Sequence, residues 1–166
     1  MASNREWAEA YLEQAREDLK AAQIGRINAP SDFCMLMQMT FEKAAKAALL
    51  RKGTIRLEKA VSSHSGASKL VKILKTNREY LPLADMGKPY LWKDILPLLT
   101  ELERSQPSLA GKGQPSLEYP WENSEGTVCW PARDFPMIAR LKSSPQIAPR
   151  LLKFASLLIS DISRGF

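Results

Sequence analysis

SDFCMLMQMTFEKAAKAALLRK, residues 31–52, is the stretch that decides the fold. It predicts a single α-helix of about 22 residues, which spans roughly 33 Å at the usual rise per residue. Ser31 and Asp32 follow Pro30 and are expected to cap the N-terminus of this helix. Gly53 suits the position just beyond its C-terminus, where the backbone commonly turns left-handed.

The two halves of this predicted helix differ in character. The first half is apolar on nearly every side, so other segments must cover it all round. The second half carries alanines that let a neighbouring helix approach closely, with Lys43 and Lys46 expected to face outward. We interpret residues 31–52 as the central helix of a bundle. Its surplus apolar side chains either fill the core or pair with a second copy of the chain. The candidate residues for that dimer interface are Phe33, Met37 and Phe41.

Amphipathic helices are predicted on both sides of the central one. Ser3 and Glu6 form a capping box that opens a helix over residues 3–27. The short connection after it makes the first two helices antiparallel neighbours. Pro97 should kink a later helix or mark its true start. Apolar residues at helical spacing predict the other helices at about 65–76, 89 or 90 to 104, Asp134 to Lys142, and from Ser144–Pro145 onward. The predicted fold class is all-α, an up-and-down bundle of four to five helices.

A long connection rich in proline and glycine, residues 105–136, precedes the last helix. About thirty residues without regular structure are uncommon inside a compact domain and often have a function. Aromatic residues in its second half argue that part of it packs down. A short hairpin near 117–130 is predicted, with Asn123–Gly126 as its turn. We treat residues 1–166 as one domain with 105–136 as a long irregular insertion.

Composition and charge restrict the class of protein. The chain of 166 residues is 45% apolar and 25% charged, which is typical of a globular protein. No apolar run is long enough to cross a bilayer and no signal peptide opens the chain, so we expect no membrane partner and a cytoplasmic location. Cys34 and Cys129 are expected to be reduced thiols. The net charge is +6. Its excess lies in residues 31–100, where lysine and arginine either attract phosphates or solvate the outer helix faces.

Candidate chemical groups are few. One histidine and two distant cysteines lack the spacing of a metal site, and no glycine-rich phosphate loop occurs, so we expect no metal, no cofactor and no catalytic set. His64 is the only imidazole, and any neutral-pH acid–base chemistry by histidine must use it. Two interpretations stay open for His64. It caps the following helix, or it contacts a ligand together with Arg51, Lys52 and Arg56.

Several segments resemble the HEPN family, named for higher eukaryotes and prokaryotes nucleotide-binding. The first helix is similar to the family's A-x-x-D-L-x-x-A pattern, and the central helix is similar to its QxAxEKAxKALL run. HSGASKLVKIL resembles an H-x-L-x-x-L-L stretch at a somewhat longer spacing. Glu118, Tyr119 and Pro120 resemble an R-Y-P turn, with Glu in place of Arg. The matching positions in the first two helices are Ala15, Asp18, Leu19, Ala22, Gln38, Glu42, Lys43, Ala44, Lys46, Ala47, Leu49 and Leu50.

The resemblance implies a helical bundle that often dimerises and acts beside nucleotidyltransferases or in RNA cleavage. Ribonuclease members carry R-x(4–6)-H in a late helix, whereas this chain has no histidine after His64. We therefore predict a non-catalytic homodimer that binds a nucleotide-related partner, namely a nucleotidyltransferase, a nucleotide or RNA. One alternative is a divergent ribonuclease of a toxin–antitoxin system that uses His64 with Arg51 or Arg56. The other is a scaffold that docks a second protein through residues 119–130.

Overall fold

The structure is a computed structural model, and it describes residues 2–25, 29–64, 66–67, 69–70, 89–106, 108 and 114–164. Its elements in chain order are α1 (Asn4–Gly25), α2 (Pro30–Arg51), α3 (Leu57–Ser62), α4 (Pro89–Arg104), β1 (Trp121–Glu122), β2 (Val128–Cys129), α5 (Pro131–Asp134), α6 (Pro136–Ser143) and α7 (Ile147–Arg164). The all-α prediction is confirmed. Residues 66–67 and 69–70 are helical, while most of the helix predicted over 65–76 lies outside the described residues.

Helix α1 begins as its sequence predicts. The Ser3 backbone N–H donates to Glu6 Oε2 at 2.6 Å, and the Glu6 N–H donates to Ser3 Oγ at 3.3 Å. This is the reciprocal capping box, which satisfies two of the backbone donors that a helix N-terminus leaves unpaired. The hydrogen bonds from Ser3 also hold the pKa of the Glu6 carboxyl below its usual value.

Helix α2 begins and ends by different means. At its N-terminus Pro30 occupies the first helical turn and Ala29 is the cap residue, with no side-chain hydrogen bond. The predicted cap by Ser31 or Asp32 is therefore wrong, because Pro30 suits the first turn and places both residues inside the helix. At the C-terminus Gly53 adopts a φ of +63°, as predicted. Its N–H donates to Leu50 O at 3.0 Å, and the next N–H along the chain donates to Leu49 O at 2.9 Å.

Helices α1 and α2 pack antiparallel along their length. Glu9, early in α1, contacts Arg51 at the end of α2, while Asp18, late in α1, contacts Lys43 nearer the middle. Alanines line both sides of this contact, so the two backbones approach closely. The fully buried alanines of the two helices are Ala8, Ala15, Ala22, Ala44, Ala45, Ala47 and Ala48.

The apolar first half of α2 lies inside the single chain. Phe33 and Met37 have no exposed surface, and Phe41 is 2% exposed. Helices α1, α4, α6 and α7 contribute side chains to the same core, and Phe41 packs against Phe154 of α7 with ring centroids 5.8 Å apart. The expectation that these three residues form a dimer interface is therefore corrected. The chain's own helices cover them, so they offer no surface to a second copy.

The segment after α4 contains the predicted hairpin. Strands β1 and β2 pair antiparallel, with Trp121 opposite Cys129. Asn123 Oδ1 accepts the N–H groups of Glu125 and Thr127, and Gly126 has a φ of +76°. These bonds and the left-handed glycine stabilise the tight turn between the strands.

Three predicted helix boundaries in the second half of the chain need correction. Helix α4 continues from Pro89 through Pro97, so Pro97 does not mark its start. Asp134 does not open the next helix. It is the last residue of α5, and its carboxylate accepts the Trp130 N–H at 2.9 Å. The last helix begins at Ile147, two residues after the predicted Pro145. Within the described parts of the chain, no helix is both long and apolar enough for a membrane span.

Candidate functional site

A polar cluster lies around Glu42 of α2, and it is largely buried except at His64, whose side chain is 35% exposed. Lys46 Nζ lies 2.7 Å and His64 Nδ1 3.1 Å from Glu42 Oε1, while Gln38 Nε2 donates to Oε2 at 2.8 Å. Because a carboxylate only accepts hydrogen bonds, Nδ1 of His64 carries the proton in this contact. Both oxygens of Glu42 are satisfied, and its side chain is only 12% exposed. We call Gln38, Glu42, Lys46 and His64 the Glu42 cluster.

Lys46 belongs to this interior rather than to the solvent. Its side chain is 7% exposed, and its ammonium lies 5.4 Å from the centre of the Tyr11 ring on α1. Burial and the nearby Glu42 charge raise the pKa of Tyr11. The expectation that Lys43 and Lys46 face outward is therefore corrected. Tight packing between the helices leaves both ammonium groups beside carboxylates at the helix interface, because a buried charge needs a partner.

A second ion pair crosses between the same two helices. Lys43 Nζ lies 2.5 Å from Asp18 Oδ2, and their side chains are 19% and 7% exposed. Gln14 also donates to Asp18, through Oδ1 at 3.2 Å. The carboxylate is satisfied on both oxygens, as a nearly buried charge requires. This pair fixes the rotational setting of α1 against α2.

The predicted ligand-binding residues do not form one site. His64 is in the Glu42 cluster. Arg51 instead contacts Glu9 of α1 and donates to Ile162 O near the end of α7. Glu42 and Arg51 are nine residues apart on one helix, which is roughly 13 Å along its axis. Lys52 and Arg56 are exposed beyond the helix end. The space beside His64, which Phe41, Leu99 and Leu102 also line, is too tight to admit a water molecule.

The larger opening lies elsewhere, between α4, α6 and the chain near residue 115. It is a cleft of about 860 Å³, within the range of small-molecule sites. Glu101 lies on its wall, and Oε2 of Glu101 accepts from Arg140 Nη1 at 2.9 Å. Arg104 lies one turn after Glu101 on the same face of α4 and is exposed. We call this opening the α4–α6 cleft.

The Glu101 carboxyl group sits in a mixed environment. Its Oε1 is buried and makes no hydrogen bond. Burial raises the pKa of Glu101, and the positive charge of Arg140 opposes that shift. Behind it, burial and the Glu101 charge raise the pKa of the Cys34 thiol to about 12. Cys34 is therefore a protonated, inert core thiol at neutral pH.

Sequence reasoning missed the α4–α6 cleft. Glu101 and Arg104 read as ordinary polar positions on an amphipathic helix, and Arg140 as an ordinary basic residue near a helix end. No local motif joins them, since they meet only when α6 packs beside α4. Among the described residues, no group of three or more His, Cys, Asp or Glu side chains is placed to hold a metal ion.

A family model of the HEPN domain matches residues 8–105, more than half of the chain. The chain belongs to the HEPN family. No curated protein and no solved structure matches it.

The two HEPN-like sequence patterns meet in space. The aspartate of the first pattern is Asp18, and its partner Lys43 lies in the EKA run of the second. Gln38, Glu42 and Lys46 of the second pattern are hydrogen-bonded among themselves and to His64. The polar residues of the two patterns therefore join α1 to α2 through Asp18 and Lys43, and join α2 to His64 through Glu42.

Proposed function

We propose that this HEPN-family protein is non-catalytic, forms a homodimer and binds a nucleotide-related partner, namely a nucleotide, RNA or a nucleotidyltransferase. The observation that carries the proposal is the placement of His64. This residue is the only imidazole in the chain, and its Nδ1 is bound to Glu42 beside Lys46. A general base must reach the proton that it removes. The space between His64 and α4 is too tight for a substrate hydroxyl, and the imidazole is reachable only from its solvent side, where the side chain is 35% exposed and Nδ1 is already held by Glu42.

The ribonuclease alternative needs an arginine beside the histidine. Arg51 is occupied by Glu9 and by a backbone carbonyl of α7, and its side chain is 16% exposed. Arg56 precedes His64 by eight positions, which is outside the R-x(4–6)-H spacing. Both observations support the non-catalytic proposal over RNA cleavage.

The nucleotide-related partner is supported by charge and by an opening of suitable size. Residues 31–100 carry most of the excess positive charge, which favours phosphate groups. The α4–α6 cleft adds two arginines to a volume suited to a small molecule. Family resemblance supports the homodimer.

The test is a paired measurement of RNA cleavage and binding. Labelled single-stranded RNA is incubated with the wild-type chain and with His64→Ala, and the same samples are titrated for RNA, nucleotide and a co-produced minimal nucleotidyltransferase. We expect intact RNA with both proteins and binding of at least one of the three partners. RNA cleavage that disappears in His64→Ala would overturn the non-catalytic proposal. If the chain binds none of the three partners, the binding proposal is overturned.

A scaffold role has one specific observation in its favour. Tyr119 is 61% exposed, Val128 60% and Trp130 41%, and all three lie on or next to the hairpin. Arg133 stacks on Trp130 with its guanidinium carbon 3.4 Å from the ring centre. Exposed aromatic side chains are common in protein interfaces. If the chain is a scaffold, replacing Tyr119 and Trp130 by serine should abolish binding of its protein partner. Nucleotide binding should stay unchanged.

A further inference from the structure

We infer that the α4–α6 cleft is the nucleotide site, with Arg104 and Arg140 holding a phosphate and the proline-lined wall receiving the base. This inference rests on the proposed nucleotide-related function and gives it a location. It names a site whose residues lie outside the Glu42 cluster and outside the paired polar contacts between α1 and α2.

The donors that the cleft offers are mainly cationic. Thr100 Oγ1 donates to Leu96 O at 2.9 Å, and Ser105 Oγ donates to Leu102 O at 2.5 Å, so both hydroxyl protons are already used. Among the described lining residues, the remaining side-chain donors are the two guanidinium groups and the Gln114 amide. The charges on these residues are one carboxylate and two arginines, a net positive charge. An anion is the ligand that such a set prefers, and guanidinium groups match phosphate oxygens two at a time.

Glu101 acts as a positioning residue for this anion site. Its Oε2 holds Arg140 Nη1 at 2.9 Å, while its other oxygen is buried away from the opening. The Arg140 side chain remains 51% exposed, so its other N–H groups are free to face a ligand. Arg104 has no ion-pair partner in the part of the chain that the structure describes. Its charge is therefore not neutralised by any other described residue.

The rest of the wall is apolar. Pro97, Pro115 and Pro136 carry no backbone N–H, and Leu96 and Phe135 line the same wall. A flat, weakly hydrated group gains from covering such a surface. A ligand with a phosphate at one end and a planar base at the other satisfies both parts of the cleft. Nucleoside monophosphates are the smallest common ligands of that kind.

The test uses calorimetric titration of the full chain with AMP and GMP, with the matching nucleosides and with inorganic phosphate. Arg104→Gln and Arg140→Gln should each weaken nucleotide binding by about tenfold or more, since each removes charged hydrogen bonds. Arg104→Gln disturbs no ion pair among the described residues, so a loss of affinity in this variant does not arise from a broken salt bridge between them. Arg150→Gln is the matched control, because Arg150 is 55% exposed and pairs with Asp94 at 3.1 Å outside the cleft. It should change the affinity by less than about twofold.

Each outcome bears on the inference. Weaker nucleotide binding in both cleft variants but not in Arg150→Gln supports it. If both cleft variants bind nucleotide as tightly as the wild type, the proposed location is wrong and the proposed function still stands. Inorganic phosphate that binds as tightly as AMP and GMP overturns the role of the proline-lined wall. If the wild-type chain binds no nucleotide, this site is ruled out. The proposed function is overturned as well only if RNA and the nucleotidyltransferase also fail to bind.

Discussion

At the scale of single residues, several charged side chains lie at the contacts between helices. Asp18 and Lys46 are buried, and Glu42 and Lys43 are nearly so, with side chains 12% and 19% exposed. Each has an oppositely charged partner within hydrogen-bonding distance. Breaking a buried pair costs far more than breaking an exposed one, because the remaining charge loses both its partner and its water. The loss of stability on removing a carboxylate should therefore depend on how deeply its ion pair is buried. The distance between the two charged atoms should matter less.

Helix α1 offers a matched pair of carboxylates for this comparison. Asp18→Ala leaves Lys43 unpaired at the helix interface and should lower the free energy of unfolding by roughly 2–3 kcal/mol, less than for a fully buried pair. Glu17→Ala removes the exposed partner of Lys20, at 2.7 Å, and should cost below about 0.5 kcal/mol. Urea denaturation of both variants measures the difference. Equal losses would contradict the argument from burial.

Glu101 predicts a pH dependence with a definite sign. Burial raises its folded pKa above the ordinary value of 4.5, so the folded state binds the proton more tightly than the unfolded state. The resulting stabilisation is complete below the ordinary carboxyl range and is lost as the pH rises through the folded pKa. As the pH falls through the folded pKa toward 4.5, the wild type should therefore gain stability relative to Glu101→Gln, by at most about 1.4 kcal/mol per pH unit.

Denaturant unfolding at several pH values measures this gain. Glu125→Gln, which removes an exposed carboxyl group in the hairpin turn, serves as the control and should track the wild type at every pH. The prediction is wrong if the stability difference between wild type and Glu101→Gln is the same at every pH. It is also wrong if the wild type gains stability as the pH rises, because burial would then not control this carboxyl group.

At the scale of elements, the end of α2 depends on one left-handed residue. Gly53 has a φ of +63° and an N–H that donates to Leu50 O, and an added Cβ would meet no atom within 4 Å. The demand at this position is therefore conformational and not steric. An L-residue in this region of backbone space is strained by roughly 1–2 kcal/mol.

Two glycine substitutions separate these effects. Gly53→Ala should lower the free energy of unfolding by about 1 kcal/mol. Gly25→Ala, at the last residue of α1, also meets open space but has no positive φ, so it should be neutral or should stabilise by up to about 1 kcal/mol. Thermal denaturation followed by circular dichroism reports both. The same sign for the two variants would contradict the assignment of Gly53.

At the scale of the whole molecule, one core joins the first helical pair to the last helix. Met37 and Phe154 are fully buried in it, and Arg51 ties the end of α2 to both α1 and α7. The α4–α6 cleft borders that core, because Phe135 belongs to the core and also lines the cleft. Substitutions of exposed cleft residues such as Arg104 should therefore cost less stability than substitutions of the buried residues behind them.

Assembly and folding can be tested separately at this scale. Light scattering should give twice the chain mass of 18.6 kDa for the proposed homodimer. Met37→Glu should abolish the cooperative unfolding transition, because it buries a charge without a partner in the core. A well-folded monomeric Met37→Glu variant would contradict the burial of Met37 within one chain. A wild-type mass equal to one chain would remove the homodimer.

By itself, the sequence determined the helical class, the first two helices, the capping box at Ser3, the glycine stop at Gly53 and the hairpin turn. All of these depend on periodicity or on a few adjacent residues, so local physics is sufficient. The HEPN patterns were also legible in the sequence, since they lie within single helices.

Only the tertiary structure decided what those patterns do. Lys43 and Lys46 look like solvated positions along one helix, and they became interior only when α1 supplied Asp18 and Tyr11. Phe33, Met37 and Phe41 were covered by helices far along the chain, and Glu101 met Arg140 across a gap of 39 positions. Contacts between distant segments depend on how helices pack, and no local pattern encodes which partner a side chain will meet.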